Sequence, residues 1–320
     1  MRQKNVMIIS HGDTDGVTSA AIVKSLYRNA KIFFSHPAGL YGDLKEILDP
    51  SYKIYICDIA LNEPHIEDIL KFFEEYKDKI TYIDHHPIPV DKKIIEETGI
   101  IFIHEENACA AELTFRSLGV GWEMSRVALY GSIGDYALNT SFVRNALSMW
   151  DIKTLFLEAG ILILGLEYYR HDHDFKRYIV EELSKDTLPS SIEKLVRASI
   201  IEASHIEKMR EKIPSILRTY GEIAYVIDPG GSLGTAAFYA YVISGKKVGL
   251  AAGTRKDKYI ISLRSNSPKI DLNIALRKIA SKLNCSCGGH PHAAGARINI
   301  KHFDDFLKML NEIINIQTKQ

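Results

Sequence analysis

Val6-Met7-Ile8-Ile9-Ser10-His11-Gly12-Asp13-Thr14-Asp15-Gly16 sets the reading of the first half of the chain. Val6–Ser10 is short and apolar, the pattern of a strand buried on both faces. An imidazole and two carboxylates follow at once, and a helical pattern begins near Val17. The alternation then recurs. Lys31–Phe34, Ile54–Asp58, Ile80–Asp84 and Ile101–His104 read as strands, with helices predicted near Val17–Tyr27, Ile66–Tyr76 and Ala108–Leu118. Strands alternating with helices predict a parallel sheet covered on both faces, an α/β domain over residues 1–141.

The pattern changes at about Phe142. Residues 142–217 show few strand signals and read as a helical connector. Within it Ser190–Met209 repeats apolar residues at helical spacing, at Ile192, Leu195, Val196, Ile200, Ala203 and Ile206. This region could also supply an oligomer face or a contact for a helicase or replication partner. From 218 to 320 strands return at Ile223–Ile227, Val248–Thr254, Tyr259–Arg264 and Ala296–Ile300, with helices at Leu233–Val242, Leu272–Leu283 and Phe303–Ile314. This is a second, smaller α/β domain.

The chain has 320 residues, 46% hydrophobic and 25% charged, which suits two globular domains and excludes a disordered polypeptide. Forty basic and forty acidic residues give zero net charge. Positive charge for nucleic acid must then be local, which argues against sequence-blind coating of long polymers. Cys57, Cys109, Cys285 and Cys287 are too few for a disulfide framework, and one residue between the last two is short for a zinc knuckle. Reduced thiols in a cytoplasmic protein are expected. Val6–Ile9 is too short to span a membrane, and Leu155–Leu166 is broken by Glu158 and Gly160. Scarce glutamine with abundant Ile, Lys and Glu suggests a heat-adapted source.

The chemistry lies where strands end. His11, Asp13 and Asp15 follow the first strand, Asp58 ends Tyr55-Ile56-Cys57-Asp58, and Asp84, His85 and His86 end Tyr82-Ile83-Asp84-His85-His86. Asp135 closes Gly131-Ser132-Ile133-Gly134-Asp135. In an open parallel sheet, ligands bind beyond the carboxyl ends of the strands. Taken singly, Asp13 or Asp15 would cap the helix near Val17 and Asp58 would serve a turn. Together they put several acids in one cleft, which is costly without cations to neutralise them. Mixed imidazole and carboxylate donors suit Mn²⁺ better than a pure oxygen cage for Mg²⁺. The donor count allows two ions sharing a carboxylate, the arrangement used for in-line displacement at phosphorus.

In the C-terminal domain Gly288, Gly289 and Gly295 permit close backbone approach to a phosphate, His290 can donate to phosphate oxygens, and Arg264 can grip them bidentately. A plain tight turn over Gly288–Gly295 is the competing reading. Arg255, Lys256 and Lys258 form a basic rim or a solvated hairpin. His171-Asp172-His173-Asp174 reads as a solvated segment, and His36 and His104 as loop residues.

These motifs, in this order, resemble the DHH phosphoesterase superfamily. His11-Gly12-Asp13-Thr14-Asp15-Gly16 is similar to its first motif, Asp58 to the second, Asp84-His85-His86 to the third that names it, and Gly134-Asp135 to the fourth. Gly288-Gly289-His290-Pro291-His292-Ala293-Ala294-Gly295 resembles the DHHA1 signature, with Cys287 where a third glycine is usual. The likeness spans nearly the whole chain and points toward RecJ-like and oligoribonuclease-like members, with an archaeal source. It implies an N-terminal DHH domain, the connector and a DHHA1 domain. It implies one ion on His11, Asp13 and Asp58 and a second on Asp15, Asp58, His85 and Asp135, with Asp58 bridging. Asp84 would orient an imidazole, and His86 would lie beside the substrate phosphate or the attacking water. Arg264, Gly288, Gly289 and His290 would hold the substrate. The implied activity is a phosphodiesterase using two Mn²⁺, or Mg²⁺, as an exonuclease on single-stranded RNA or DNA or on short oligonucleotides. Cyclic dinucleotides or nucleoside bisphosphates are the alternative substrates, and a non-catalytic replication or repair partner is the alternative class.

Overall fold

The computed structural model describes residues 5–47, 49, 51–283 and 285–319. The chain divides into two compact units, Met1–Glu202 and Ala203–Gln320.

The first unit opens with β1 (Asn5–Ser10), α1 (Thr14–Leu26), β2 (Lys31–Phe34), α2 (Leu40–Ile47) and β3 (Tyr52–Cys57). It continues through α3 (Ile66–Glu75), β4 (Ile80–Asp84), α4 (Lys92–Glu97) and β5 (Ile101–His104). The five strands are parallel, in the order β2-β1-β3-β4-β5. Their side chains alternate between two cores. Val6, Ile8, Tyr55 and Ile83 belong to one, and Met7, Ile9, Ile56 and Tyr82 to the other. Burial on both faces explains the near-continuous apolar strands.

Helices follow as α5 (Ala110–Leu118), α6 (Met124–Gly134), α7 (Ser141–Leu147), α8 (Ile152–Tyr168), α9 (His173–Leu183) and α10 (Glu193–Ile216). Their starts are written locally: Thr140, Asp151 and Asp172 cap α7, α8 and α9 through their side-chain oxygens. Val143, Leu155, Leu162, Phe175, Ile179 and Leu195 join the same core as α1 and β1. Much of the helical stretch after residue 142 is therefore built into the first unit. Two short helices, α2 and α4, lie outside the sequence reading. They bury Leu40 and Leu44, and Ile95, too few positions to show a helical period in sequence.

The second unit holds β6 (Arg218–Tyr220), β7 (Ile223–Ile227), α11 (Leu233–Ser244), β8 (Val248–Arg255) and β9 (Lys258–Arg264). It ends with α12 (Leu272–Leu283), β10 (Ser286–Gly289), β11 (Ala293–Asn299) and α13 (Phe303–Lys319). Its mixed sheet runs β10-β11-β9-β8-β7-β6, with only β7 and β8 parallel. The glycine-rich signature, read as a phosphate cradle or a turn, is an antiparallel hairpin in which Gly288 faces Gly295. All four cysteines are free thiols. Among the described residues no helix is long and apolar enough to cross a membrane.

Candidate metal centre

The strand order reverses direction between β1 and β3, and the crevice beyond their carboxyl ends is where such sheets bind ligands. His11, Asp13 and Asp15 leave β1 there and Asp58 leaves β3. Asp13 caps α1, its Oδ1 accepting the Gly16 N–H at 3.0 Å. The helix consequently starts at Thr14 rather than near Val17. Gly16 is required for this entry: a Cβ there would lie 2.2 Å from the His11 carbonyl oxygen.

Two groups of side chains result. His11 Nδ1 lies 2.8 Å from Asp13 Oδ2 and 3.8 Å from Asp58 Oδ2. His85 Nε2 lies 3.6 Å from Asp15 Oδ2, 3.4 Å from Asp58 Oδ1 and 3.5 Å from Asp135 Oδ2. Asp58 is in the first group, and its Oδ1 also reaches to within 3.4 Å of the His85 imidazole of the second. It is buried, its backbone adopts the left-handed φ of 59°, and no donor among the described residues reaches its Oδ2.

Electrostatics tell the same story. Burial, then Asp13, Asp15, Asp135 and Asp84, push the Asp58 carboxyl well above its usual range. Burial also raises Asp15, while the N–H groups of Ala110 and Ala111 at the start of α5 hold its two oxygens at 2.7 and 2.8 Å. Gly131 leaves room for this carboxylate, since a Cβ there would sit 2.8 Å from Asp15 Oδ1. Burial lowers His85 and favours the neutral imidazole that metals bind. For Asp13, burial raises the carboxyl, but the His11 charge and hydrogen bond and the Gly16 N–H outweigh it and hold it low.

Divalent cations fit this donor set. Ligand atoms about 2.1 Å from a shared octahedral or tetrahedral centre lie roughly 3.0–3.4 Å apart. The 3.4–3.6 Å spacings around His85 Nε2 are near that range and too long for hydrogen bonds. A buried carboxylate oxygen without a donor, surrounded by other carboxylates, is the counterpart of a cation rather than of a proton donor.

Asp84 and His86 form the adjoining pair. Asp84 is fully buried; its Oδ1 lies 2.9 Å from His86 Nδ1 and its Oδ2 accepts from the Tyr82 hydroxyl at 3.0 Å. The imidazole that Asp84 orients is thus His86. Burial opposes the His86 charge, but Asp84, Asp135 and Asp13 push its pKa up to about 9.

Arg264, Gly288, Gly289 and His290 lie in the second unit. Arg264 pairs with Ala293 across β9 and β11, next to the turn where the His290 N–H donates to the Ala293 carbonyl at 2.8 Å. Its Nη1 donates to Ser262 Oγ at 3.0 Å, and its Nη2 lies over Gly234 at the start of α11. These four residues occupy one corner of that unit.

Some residues near the centre carried no sequence signal. His104 is a support rather than a free loop residue, its Nε2 lying 2.7 Å from the His86 carbonyl oxygen. Lys176 of α9 is buried, and its ammonium donates to the Gly12 and Arg170 carbonyls. It ties the helical segment to the loop that carries His11 and Asp13. Lys176→Met keeps the stem but removes both bonds. It is expected to cost about 1–3 kcal/mol in a denaturant titration, the penalty of leaving buried acceptors unmade. An unchanged midpoint would refute that support role. Tyr136, directly after Asp135, is exposed with a φ of 57°. By contrast, His171-Asp172-His173-Asp174 gathers no metal group: Asp172 caps α9, and His173 packs 5.8 Å from the Phe34 ring. His36 Nδ1 accepts the Gly39 N–H at 3.1 Å.

Comparison with known proteins agrees with this layout. Residues 5–133 match the model of the DHH family, N-terminal domain, and residues 223–316 that of the DHHA1 domain. No curated protein matches the sequence. Among solved structures, a DHH domain described as a member of a family of ribosomal proteins is 15% identical, covering 98% of this chain and 87% of that one, with a TM-score of 0.73. The exonuclease RecJ bound to manganese is 17% identical over 98% and 90%, with a TM-score of 0.62. The pGpG-specific phosphodiesterase PggH from Vibrio cholerae is 15% identical over 98% and 100%, with a TM-score of 0.59. At these identities the likeness is one of fold, and it lends no support to an archaeal source.

Proposed function

The chain belongs to the DHH–DHHA1 phosphoesterase superfamily, and from that premise we propose that it is a divalent-metal-dependent phosphodiesterase acting on single-stranded RNA or DNA or on short oligonucleotides. The observation that carries this reading is the gathering of Asp13, Asp15, Asp58 and Asp135 with His11 and His85, with the Asp58 Oδ2 lacking any donor. On this reading His11, Asp13 and Asp58 would hold one divalent ion and Asp15, Asp58, His85 and Asp135 a second, Mn²⁺ or Mg²⁺, and such ions would supply charge neutralisation and a lowered pKa for a water at phosphorus.

The chain's own groups do the rest. His86, whose Nδ1 lies 2.9 Å from Asp84 Oδ1, donates through its other ring nitrogen toward the charge that develops on the phosphoryl oxygens. Asp84 fixes the tautomer and the ring orientation. Arg264 and His290 hold the substrate phosphates, with Gly288 and Gly289 letting the backbone approach them. The balanced net charge favours a short or flexible strand over long duplex, which needs an extended basic surface.

The test is to incubate Mn²⁺-loaded protein with end-labelled RNA and DNA of graded length, together with linear and cyclic dinucleotides. Release of mononucleotides from linear substrates is expected. Product ladders give polarity and sugar preference. Turnover of the cyclic dinucleotides alone would overturn the oligonucleotide reading, and no turnover of any phosphodiester would overturn catalysis.

A further inference from the structure

Tyr136 has no structural reason to be a tyrosine. Its side chain is 88% exposed and meets no hydrogen-bond, ion-pair or ring partner among the described residues. Its backbone lies in the left-handed region, at a φ of 57°, where a bulky side chain crowds the following carbonyl and glycine fits at lower cost. The surrounding turn is nevertheless pinned. Asp135 N–H donates to Gly131 at 2.9 Å, Tyr136 N–H to Ile133 at 3.3 Å, Ala137 N–H to Ser132 at 2.9 Å and Leu138 N–H to Tyr136 at 3.0 Å. A strained residue held this firmly, yet giving nothing to the core, calls for a functional explanation.

Its neighbour says which function. Asp135 sends its Oδ2 to within 3.5 Å of His85 Nε2, inside the carboxylate cluster. The rigid turn therefore holds an unpartnered, exposed aromatic residue directly next to a carboxylate of that cluster. In a nucleotide the base stands one sugar away from that phosphate, and bases stack on exposed aromatic faces without regard to sequence.

We propose that Tyr136 is the stacking platform for the nucleobase next to the scissile phosphate, which makes the site select nucleotidyl over simple alkyl phosphodiesters. This assignment rests on the phosphodiesterase reading above. It leaves the four bases nearly undistinguished, since every base offers a π face.

The experiment compares a dinucleotide with its abasic analogue, in the wild type and in Tyr136→Ala, Tyr136→Phe and Tyr136→Gly. In the wild type kcat/KM is expected to favour the base-bearing substrate by roughly five- to a hundredfold, the range of one base–aromatic stack. The ratio should fall toward one in the Ala and Gly variants, mainly through KM, and persist in the Phe variant. Tyr136→Gly should also raise Tm by relieving the backbone, which a tyrosine with a purely structural role would not do. In parallel, a dinucleotide carrying 2-aminopurine is titrated into the protein with Ca²⁺ in place of Mn²⁺, and Tyr136-dependent quenching reports stacking without turnover. Quenching without hydrolysis would sink the phosphodiesterase reading and leave the platform standing. Hydrolysis with a ratio near one in the wild type, or a ratio untouched by Tyr136→Ala, would overturn the platform and leave the reading. A fall in Tm with equal loss on both substrates would assign Tyr136 to the turn instead and overturn the platform as well.

Discussion

Asp58→Asn is expected to reduce kcat by about a thousandfold or more and, in chelator, to raise rather than lower thermal stability. The two effects have one cause. Asp58 stands between the two histidines, 3.8 Å from His11 Nδ1 through Oδ2 and 3.4 Å from His85 Nε2 through Oδ1. On the proposed reading its charge serves both cation positions, and losing even one group that stabilises transition-state charge costs roughly 10²–10³ in kcat. In the cation-free protein the same carboxylate is buried against Asp13, Asp15, Asp135 and Asp84, so it opposes folding. Asparagine keeps the shape and tolerates the left-handed backbone at φ 59°, so the substitution adds little strain. A gain of about 1–3 kcal/mol is expected, on the scale of an uncompensated buried polar group. Thermal denaturation with and without Mn²⁺ checks it. Wild-type Tm should rise on Mn²⁺ addition by mass action, and the variant should show much less of that rise. A variant that loses stability in chelator would show that the cluster is not under electrostatic strain.

Gly16→Ala is expected to be nearly as damaging by a different route. The added carbon would meet the His11 carbonyl oxygen at 2.2 Å and the His11 carbonyl carbon at 2.7 Å. Both are backbone atoms, so no rotamer change relieves the clash. The loop between β1 and α1 must move, and that loop carries His11 and Asp13. The Ser10 hydroxyl bond to the Gly16 carbonyl, at 2.7 Å, would be strained as well. A loss of about 3 kcal/mol, the upper end for overpacking a rigid site, is expected, together with weakened Mn²⁺ affinity in an equilibrium titration. Native stability and full affinity in this variant would mean that the loop is softer than its packing indicates.

Much of this site could be read from residue order. Strand ends carrying Asp or His form a convergent set, because a parallel sheet delivers its carboxyl ends to one edge. The link between Asp84 and an imidazole was expected, but its partner depended on side-chain direction and turned out to be His86. Lys176 was invisible as a support: it lies 164 residues from Gly12, and a lysine in an amphipathic helix has the pattern of a solvated face. The bracing role of His104, read as a loop residue, and the amide donors of Ala110 and Ala111 were hidden for the same reason, since their partners come from distant segments. Tyr136 could not have been found at all, because an unusual φ leaves no trace in residue type.

The amino-acid order alone determined the alternation of strands and helices, the chemical identity of the donors and the family, because these depend on local periodicity and on motifs a few residues long. Tertiary structure alone decided which oxygen faces which imidazole, which carboxylate stands between the two histidines, and which buried groups brace the loops. Those relations are set by the sheet order β2-β1-β3-β4-β5, which brings the ends of β1 and β3 together, and by packing that no local pattern encodes.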